Sequence, residues 1–112
     1  MKQIRFYQII TAISCFFLIS CGIDQNLKKA DKHLSLGEYY DAATQYKKVY
    51  TKTPTKERAA RGKVALKMAR CYDKINSTPK ALAAYSNAIR YKQADLNDRL
   101  AYARLLLKNG SY

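Results

Sequence analysis

The sequence predicts an all-α fold of stacked helical hairpins, and three observations lead to this prediction. Gly and Pro are few, four and two in 112 residues, so little interrupts a helical stretch. No segment alternates apolar and polar residues as a half-buried strand requires. The chain also repeats itself, which indicates an array of similar helical units. The two clearest copies of the repeated pattern, offset by 39 residues, are Ala42, Tyr46 and Val49, and Ala81, Tyr85 and Ala88.

The chain begins with a segment typical of a signal peptide. Lys2 and Arg5 provide a positively charged start, and residues 9–19 are almost all apolar. This length fits the apolar part of a signal peptide and is too short for a membrane-spanning helix, which needs ~20 apolar residues. We therefore expect residues 1–20 to be removed, together with Cys15.

The end of this segment predicts a lipid anchor. Leu18 and Ser20 precede Cys21 in an arrangement that resembles the bacterial lipobox. The resemblance implies cleavage before Cys21, acylation of this cysteine, and a short linker over residues 21–24. Gly22 stands where an Asp would imply retention in the inner membrane, so the implied location is the outer membrane. No acidic cluster of the kind that marks surface-exported lipoproteins follows Cys21, so we expect the protein to face the periplasm. The alternatives are an ordinary secretory signal that contains cysteines and the edge of a buried helix.

Composition limits the processed chain to one small, strongly basic domain. Residues 21–112 keep 19 of the 21 basic residues and all eight acidic ones, so their formal charge is +11. A partner is therefore expected to be anionic or to tolerate positive charge. Only Cys71 would remain beside the acylated Cys21, so we expect no internal disulfide and a buried, structural Cys71.

Local signals divide the rest of the chain into five helices, near residues 25–36, 39–52, 56–75, 79–92 and 96–109. Gly37 can adopt a positive φ and end the first helix. Pro54 ends the second, because the residue before a proline avoids the α region. Thr78 is the expected N-cap of the fourth helix, with Pro79 in its first turn, and Asp95 is the expected N-cap of the fifth.

The repeated pattern resembles the tetratricopeptide repeat, in which small and aromatic residues recur at fixed positions of two antiparallel helices. The match covers nearly all of residues 25–112 and implies about two and a half repeats, stacked as a short solenoid. The matching residues are Ala30, Gly37, Tyr39, Ala42, Tyr46, Val49 and Pro54 in the first repeat, and Ala69, Tyr72, Ala81, Tyr85 and Ala88 in the second.

The chain departs from the pattern of this family at several places. His33 stands where an aromatic residue is usual, Asn76 replaces the turn glycine, and about five additional residues separate the first two repeats. A third repeat includes Ala103, and the chain ends where the second helix of that repeat is expected. We therefore expect a fragment of a longer protein, with an uncovered apolar end at Leu100, Leu105, Leu106 and Leu107.

The sequence offers little for catalysis. The single histidine, His33, falls at a packing position, and a metal site built on His33 and Cys71 would lack two further ligands. The four glycines are too scattered for a phosphate-binding loop, and the acidic residues form no obvious pair for glycoside hydrolysis. We predict a non-enzymatic protein with no metal and no cofactor.

Basic residues form a stripe on the third predicted helix. The cations spaced for one helical face are Lys63, Lys67, Arg70 and Lys74. The tetratricopeptide resemblance implies that Lys63, Arg70 and Lys74 line a concave groove, with Arg104 and Lys108 at equivalent places in the third repeat. Such a stripe is either a solvated face or a contact surface for an acidic peptide, a carboxylate-bearing glycan or lipid phosphates. Export from the cytoplasm argues against a nucleic-acid partner.

Residues 37–50 and 69–75 resemble the N-terminal part of a Bacteroidota family of outer-membrane lipoproteins. Its members combine tetratricopeptide repeats with a β-propeller and an OmpA-like domain that binds peptidoglycan, and one branch belongs to the type IX secretion system. The resemblance implies an adaptor that docks envelope proteins in its groove, with peptidoglycan bound only through domains outside these residues. The alternatives are an assembly factor similar to the tetratricopeptide lipoprotein of the β-barrel assembly machinery and a helical glycan-binding lipoprotein.

Overall fold

The described part of the chain, residues 23–110 of a computed structural model, is entirely helical apart from short turns. The all-α prediction is therefore confirmed for this range. The signal peptide expected at 1–20, Cys21, Gly22 and residues 111–112 lie outside it. The helices are α1 over residues 23–35 of this range, α2 (Tyr39–Lys52), α3 (Arg58–Lys74), α4 (Thr78–Arg90) and α5 (Leu96–Lys108).

Four of the five described helices end with one residue in the left-handed conformation. Gly37 has a φ of 75°, Asn76 of 58°, Lys92 of 59° and Gly110 of 73°. At the first three of these turns the next N–H bonds back to a carbonyl five residues earlier, for example Glu38 to His33 at 2.9 Å. This is the Schellman pattern, in which glycine or asparagine carries little steric cost. Asn76, which stands where the second repeat would have a glycine, thus ends its helix as Gly37 ends α1. The helix α4 ends at Arg90, before Lys92, and is shorter than expected.

The N-caps agree with the sequence at α5 and differ at α4. The Asp95 side chain accepts from the backbone N–H of Asp98 at 2.9 Å, and Asp98 accepts from the Asp95 N–H at 3.1 Å. This capping box satisfies two otherwise unpaired donors. Thr78, the expected N-cap of α4, is instead its first helical residue, and the cap is Ser77. Because Asn76 ends the preceding turn, Ser77 is the only residue between that turn and the helix.

The core consists of small and aromatic residues that occupy equivalent positions in the first two repeated segments. α3 packs on both α2 and α4, and α4 packs on α5. Close approach of the helices is possible because alanines stand where they meet, and tyrosines fill the space one turn away. The buried residues at equivalent positions are Ala30 and Ala69, Ala42 and Ala81, Tyr46 and Tyr85, and Val49 and Ala88.

The third copy of the pattern is only partly buried. Ala103 of α5 is exposed although its equivalents Ala30 and Ala69 are fully buried, because no described helix packs on that side of α5. Leu100 and Leu107 are exposed, as expected for an uncovered apolar end. The expectation is wrong for Leu105, which is 2% exposed because it faces the core, and Leu106 is half-buried.

The additional residues between the first two repeats lengthen helices and form no long loop. α3 has 17 residues against 13 in α5. Ala69 is the twelfth residue of α3, whereas the equivalent Ala103 is the eighth of α5. Four of the additional residues therefore form an N-terminal turn of α3, residues 58–61. The fifth additional residue lengthens α2, which has 14 residues against 13 in α4.

Candidate functional site

The predicted basic stripe on α3 lies between α1 and α5. Carboxylates of these two helices pair with part of its positive charge. Lys67 Nζ lies 3.3 Å from Asp31 Oδ1 of α1. Arg70 contacts both carboxylate oxygens of Asp98 on α5, with the closest pair at 2.9 Å. These pairs link three alternate helices of the chain. The stripe therefore serves partly to hold the helices together.

The Arg70–Asp98 pair contains the more buried carboxylate of these two contacts. Only 7% of the Asp98 side chain is exposed, and its oxygens also accept from Arg70 Nε and from the Asp95 N–H. The pKa of Asp95 is lowered, first by the hydrogen bond from the Asp98 backbone N–H and further by the nearby Arg70 guanidinium. A bidentate arginine on a buried carboxylate is a strongly oriented contact. The Arg70 side chain therefore binds α5.

The remaining predicted contact residues divide in the same way. Arg104 Nη2 lies 3.0 Å from Asp73 Oδ2, so it ties α5 back to α3. Lys63, Lys74 and Lys108 are exposed and form no ion pair with any residue from 23 to 110. Of the five residues predicted to contact a partner, three are therefore available to one.

His33 takes part in the turn between α1 and α2. Its Nδ1 lies 2.5 Å from Glu38 Oε2, which fixes the side chain next to the Schellman turn at Gly37. Asp41 brings a second carboxylate near, and the three ligand atoms lie within 4.8 Å of one another. His33 is half-buried and both acidic residues are exposed. The hydrogen bond accounts for the positions of His33 and Glu38 without an ion.

Two buried groups, the Cys71 thiol and the Tyr46 phenol, are held in their neutral forms. Burial raises the pKa of the Cys71 thiol to about 11, and Cys71 is fully buried as expected. Burial also raises the pKa of Tyr46, helped by the hydrogen bond that its hydroxyl donates to Asp31 at 2.5 Å. A protonated buried thiol is a poor nucleophile. Both residues stabilise the fold.

A cluster around Arg61 was not predicted from the sequence. Its Nη1 donates to the carbonyls of Tyr50 at 3.1 Å and Thr53 at 2.7 Å, and its guanidinium lies 4.1 Å from the centroid of the Tyr50 ring. Its Nε donates to the Tyr91 hydroxyl at 3.3 Å. Arg61 lies in the additional turn of α3, so this turn joins the C-terminal ends of α2 and α4. The five-residue insertion was the signal that could have indicated it.

A shallow groove between α2 and α4 was also not predicted. Both helices pack on α3, and the groove that they leave over it has a volume of about 280 Å³. Met68 and Tyr72 of α3 and Ala83 and Ala84 of α4 supply its apolar surface. Basic residues line it from both sides, Lys47 from α2 and Lys80 from α4. The Lys80 ammonium lies 5.7 Å from the centroid of the Tyr72 ring.

No protein-family model, no curated protein and no solved structure matches the chain significantly. Within residues 23–110, every helix falls short of the length and apolar character that crossing a membrane requires.

Proposed function

We propose that this chain is the anchored repeat domain of an outer-membrane lipoprotein, and that it acts as a scaffold or adaptor for envelope proteins. The observation that carries the proposal is the equal burial of equivalent residues in two successive segments. Ala42 and Tyr46 of α2 are buried as Ala81 and Tyr85 of α4 are. Repeated hairpins that pack in this way present extended surfaces for other proteins. We propose that they are tetratricopeptide-like and stack as a short solenoid.

The anchor and the contact surface belong to the same proposal. Cys21 is the acylated residue, and the described part of α1 begins at residue 23, so the domain is held close to the membrane. On the α3 and α5 side, the available contact residues are Lys63, Lys74 and Lys108. Type IX secretion or tethering to peptidoglycan would follow through further domains, as the family resemblance implies.

Crosslinking in cells tests the adaptor role. A tagged chain is compared with its Cys21→Ser variant and with a triple charge reversal, Lys63→Glu, Lys74→Glu and Lys108→Glu. We expect the intact chain to crosslink to defined outer-membrane or periplasmic proteins and the Cys21 variant to lose them. Persistence of the same partners without the anchor would contradict the anchored role. Unchanged capture by the triple variant at moderate salt would exclude those lysines as the contact surface.

A further inference from the structure

The groove between α2 and α4 combines an apolar floor with basic edges. Met68 and Tyr72 belong to the core, yet part of each side chain lines the groove. Ala83 is exposed at its edge and leaves room for another side chain. Apolar surface left open in this way is favourable to cover, because burying it removes water from both partners.

The charges around the groove are of one sign. None of the residues that line it is acidic, and Lys47 and Lys80 line it from opposite helices. α4 has no acidic residue, and α2 has only Asp41, at its N-terminal end. Lys48 and Lys52 on α2 and Arg90 on α4 add to the positive charge of these two helices.

Several acidic residues outside α2 and α4 already form contacts with residues of other helices or turns. Asp31, Asp73 and Asp98 pair with cations of α3 and α5, and Glu38 pairs with His33. Asp95 caps α5. Among residues 23–110, no basic residue of α2 or α4 forms an ion pair like those of the α3 stripe.

An exposed aromatic residue lies on the same face of α2 as Lys47. Tyr40 is 65% exposed and stands two turns before Lys47, which places both on one helical face. An occupant of the groove that also contacts Tyr40 would follow α2 from Lys47 toward its N-terminus and would be elongated. The groove volume of about 280 Å³ lies at the lower limit for small-molecule pockets, ~300–1,000 Å³, which also favours side chains of a longer segment.

We propose that this groove binds an amphipathic helical segment of a partner protein, with apolar side chains in the groove and Asp or Glu residues beside them. The apolar side chains contact Met68, Tyr72 and Ala83, and the carboxylates pair with Lys47 and Lys80. Helices recognised in apolar grooves present such anchors at helical spacing, and complementary charge sets their orientation. The proposal rests on the adaptor function above and assigns to it a second surface, separate from Lys63, Lys74 and Lys108.

A fluorescence-anisotropy titration with a defined probe tests the groove. The probe is a fluorescein-labelled helical peptide with leucines at i, i+4 and i+7 and glutamates beside them, and the control peptide has glutamine for glutamate. The protein is the full chain carrying Cys21→Ser. We expect the acidic probe to bind and the glutamine peptide to bind at least about tenfold more weakly.

Two matched variants separate the groove from general positive charge. The double variant Lys47→Glu with Lys80→Glu is expected to weaken binding of the acidic probe roughly tenfold. The control variant Lys63→Glu with Lys74→Glu changes the charge equally. It is expected to change the affinity for the probe less than about twofold. Ala83→Phe fills the groove without changing charge and is expected to weaken binding as well. Because Ala83 is exposed, circular dichroism should report an unchanged helical fold.

Three results would overturn the proposal. The first is failure of the wild-type chain to bind the acidic probe, and the second is an equal loss of binding in the two double variants. The third is preference for vesicles of anionic phosphatidylglycerol over the peptide, with the same dependence on Lys47 and Lys80, because the surface would then face lipid. Each leaves the adaptor function intact if the cellular crosslinks persist. If the wild-type chain forms no such crosslinks in cells, the adaptor function is contradicted, whatever result the peptide titration gives.

Discussion

At the scale of single residues, Gly62 is placed by close packing. It lies in α3 without a positive φ, yet a Cβ built on it would stand 2.7 Å from Tyr91 Cβ and even closer to Gln93 Cγ. Glycine inside a helix costs ~0.5–1 kcal/mol relative to alanine. The sequence therefore keeps an unfavourable helix residue where the turn after α4 crosses α3.

We predict that Gly62→Ala destabilises the protein by about 1–3 kcal/mol, although alanine is the better helix former. The added methyl group forces the 91–93 turn away from α3, because Tyr91 Cβ is fixed to the backbone and cannot rotate aside. Chemical denaturation monitored by circular dichroism measures the change. A stabilised variant would show that the turn moves at no cost.

Cys71 gives a second prediction at this scale. With Cys15 and Cys21 changed to Ser, the folded chain should react slowly with a thiol reagent at pH 8, because burial holds the pKa at about 11. Urea should accelerate the reaction to the rate of a free thiol. The contribution of this raised pKa to the free energy of unfolding is fully present below the ordinary thiol pKa. It is lost as the pH rises from about 9 to about 11. A fast reaction without denaturant would contradict the burial.

At the scale of elements, α5 is held by its N-terminus. Asp98 closes the capping box with Asp95 and also binds Arg70 of α3. We predict that Asp98→Ala destabilises the protein by about 1–3 kcal/mol and frays α5, since one change removes both contacts. Asp73→Ala, which breaks only the more exposed pair with Arg104, should cost about 0–1 kcal/mol. Amide hydrogen exchange along α5 distinguishes them, and equal effects would contradict the special role of Asp98.

Acid should weaken the same helix end. The pKa of Asp95 is lowered in the fold, so its contribution to stability is present above the ordinary aspartate pKa and is lost as the pH falls through the lowered value. In Asp95→Asn the cap retains an oxygen acceptor but no longer titrates. We predict a shallower loss of stability below pH ~4 in this variant than in the wild type, measured by thermal unfolding across pH. Parallel pH curves would contradict this assignment.

At the scale of the whole molecule, the sequence predicted the helices well and the site poorly. Every helix boundary from the end of α1 to the end of α5 lies within about two residues of the prediction, because glycine, proline and aspartate signals stand at the turns. The basic stripe was found from helical spacing, but spacing does not report that Asp98 and Asp73 meet Arg70 and Arg104 from another helix. The groove depends on three helices at once, so no local pattern indicates it.

The proposed lipoprotein combines a membrane anchor with a stack of helices, and the anchor lies outside the residues that the structure describes. The measurement that tests this combination most directly is metabolic labelling with an alkyne analogue of palmitate, followed by separation of inner and outer membranes. We predict that the wild-type chain is labelled and recovered with the outer membrane, and that Cys21→Ser loses both. An unlabelled, unanchored wild-type chain would contradict the proposed lipid anchor and leave a helical domain without a membrane role.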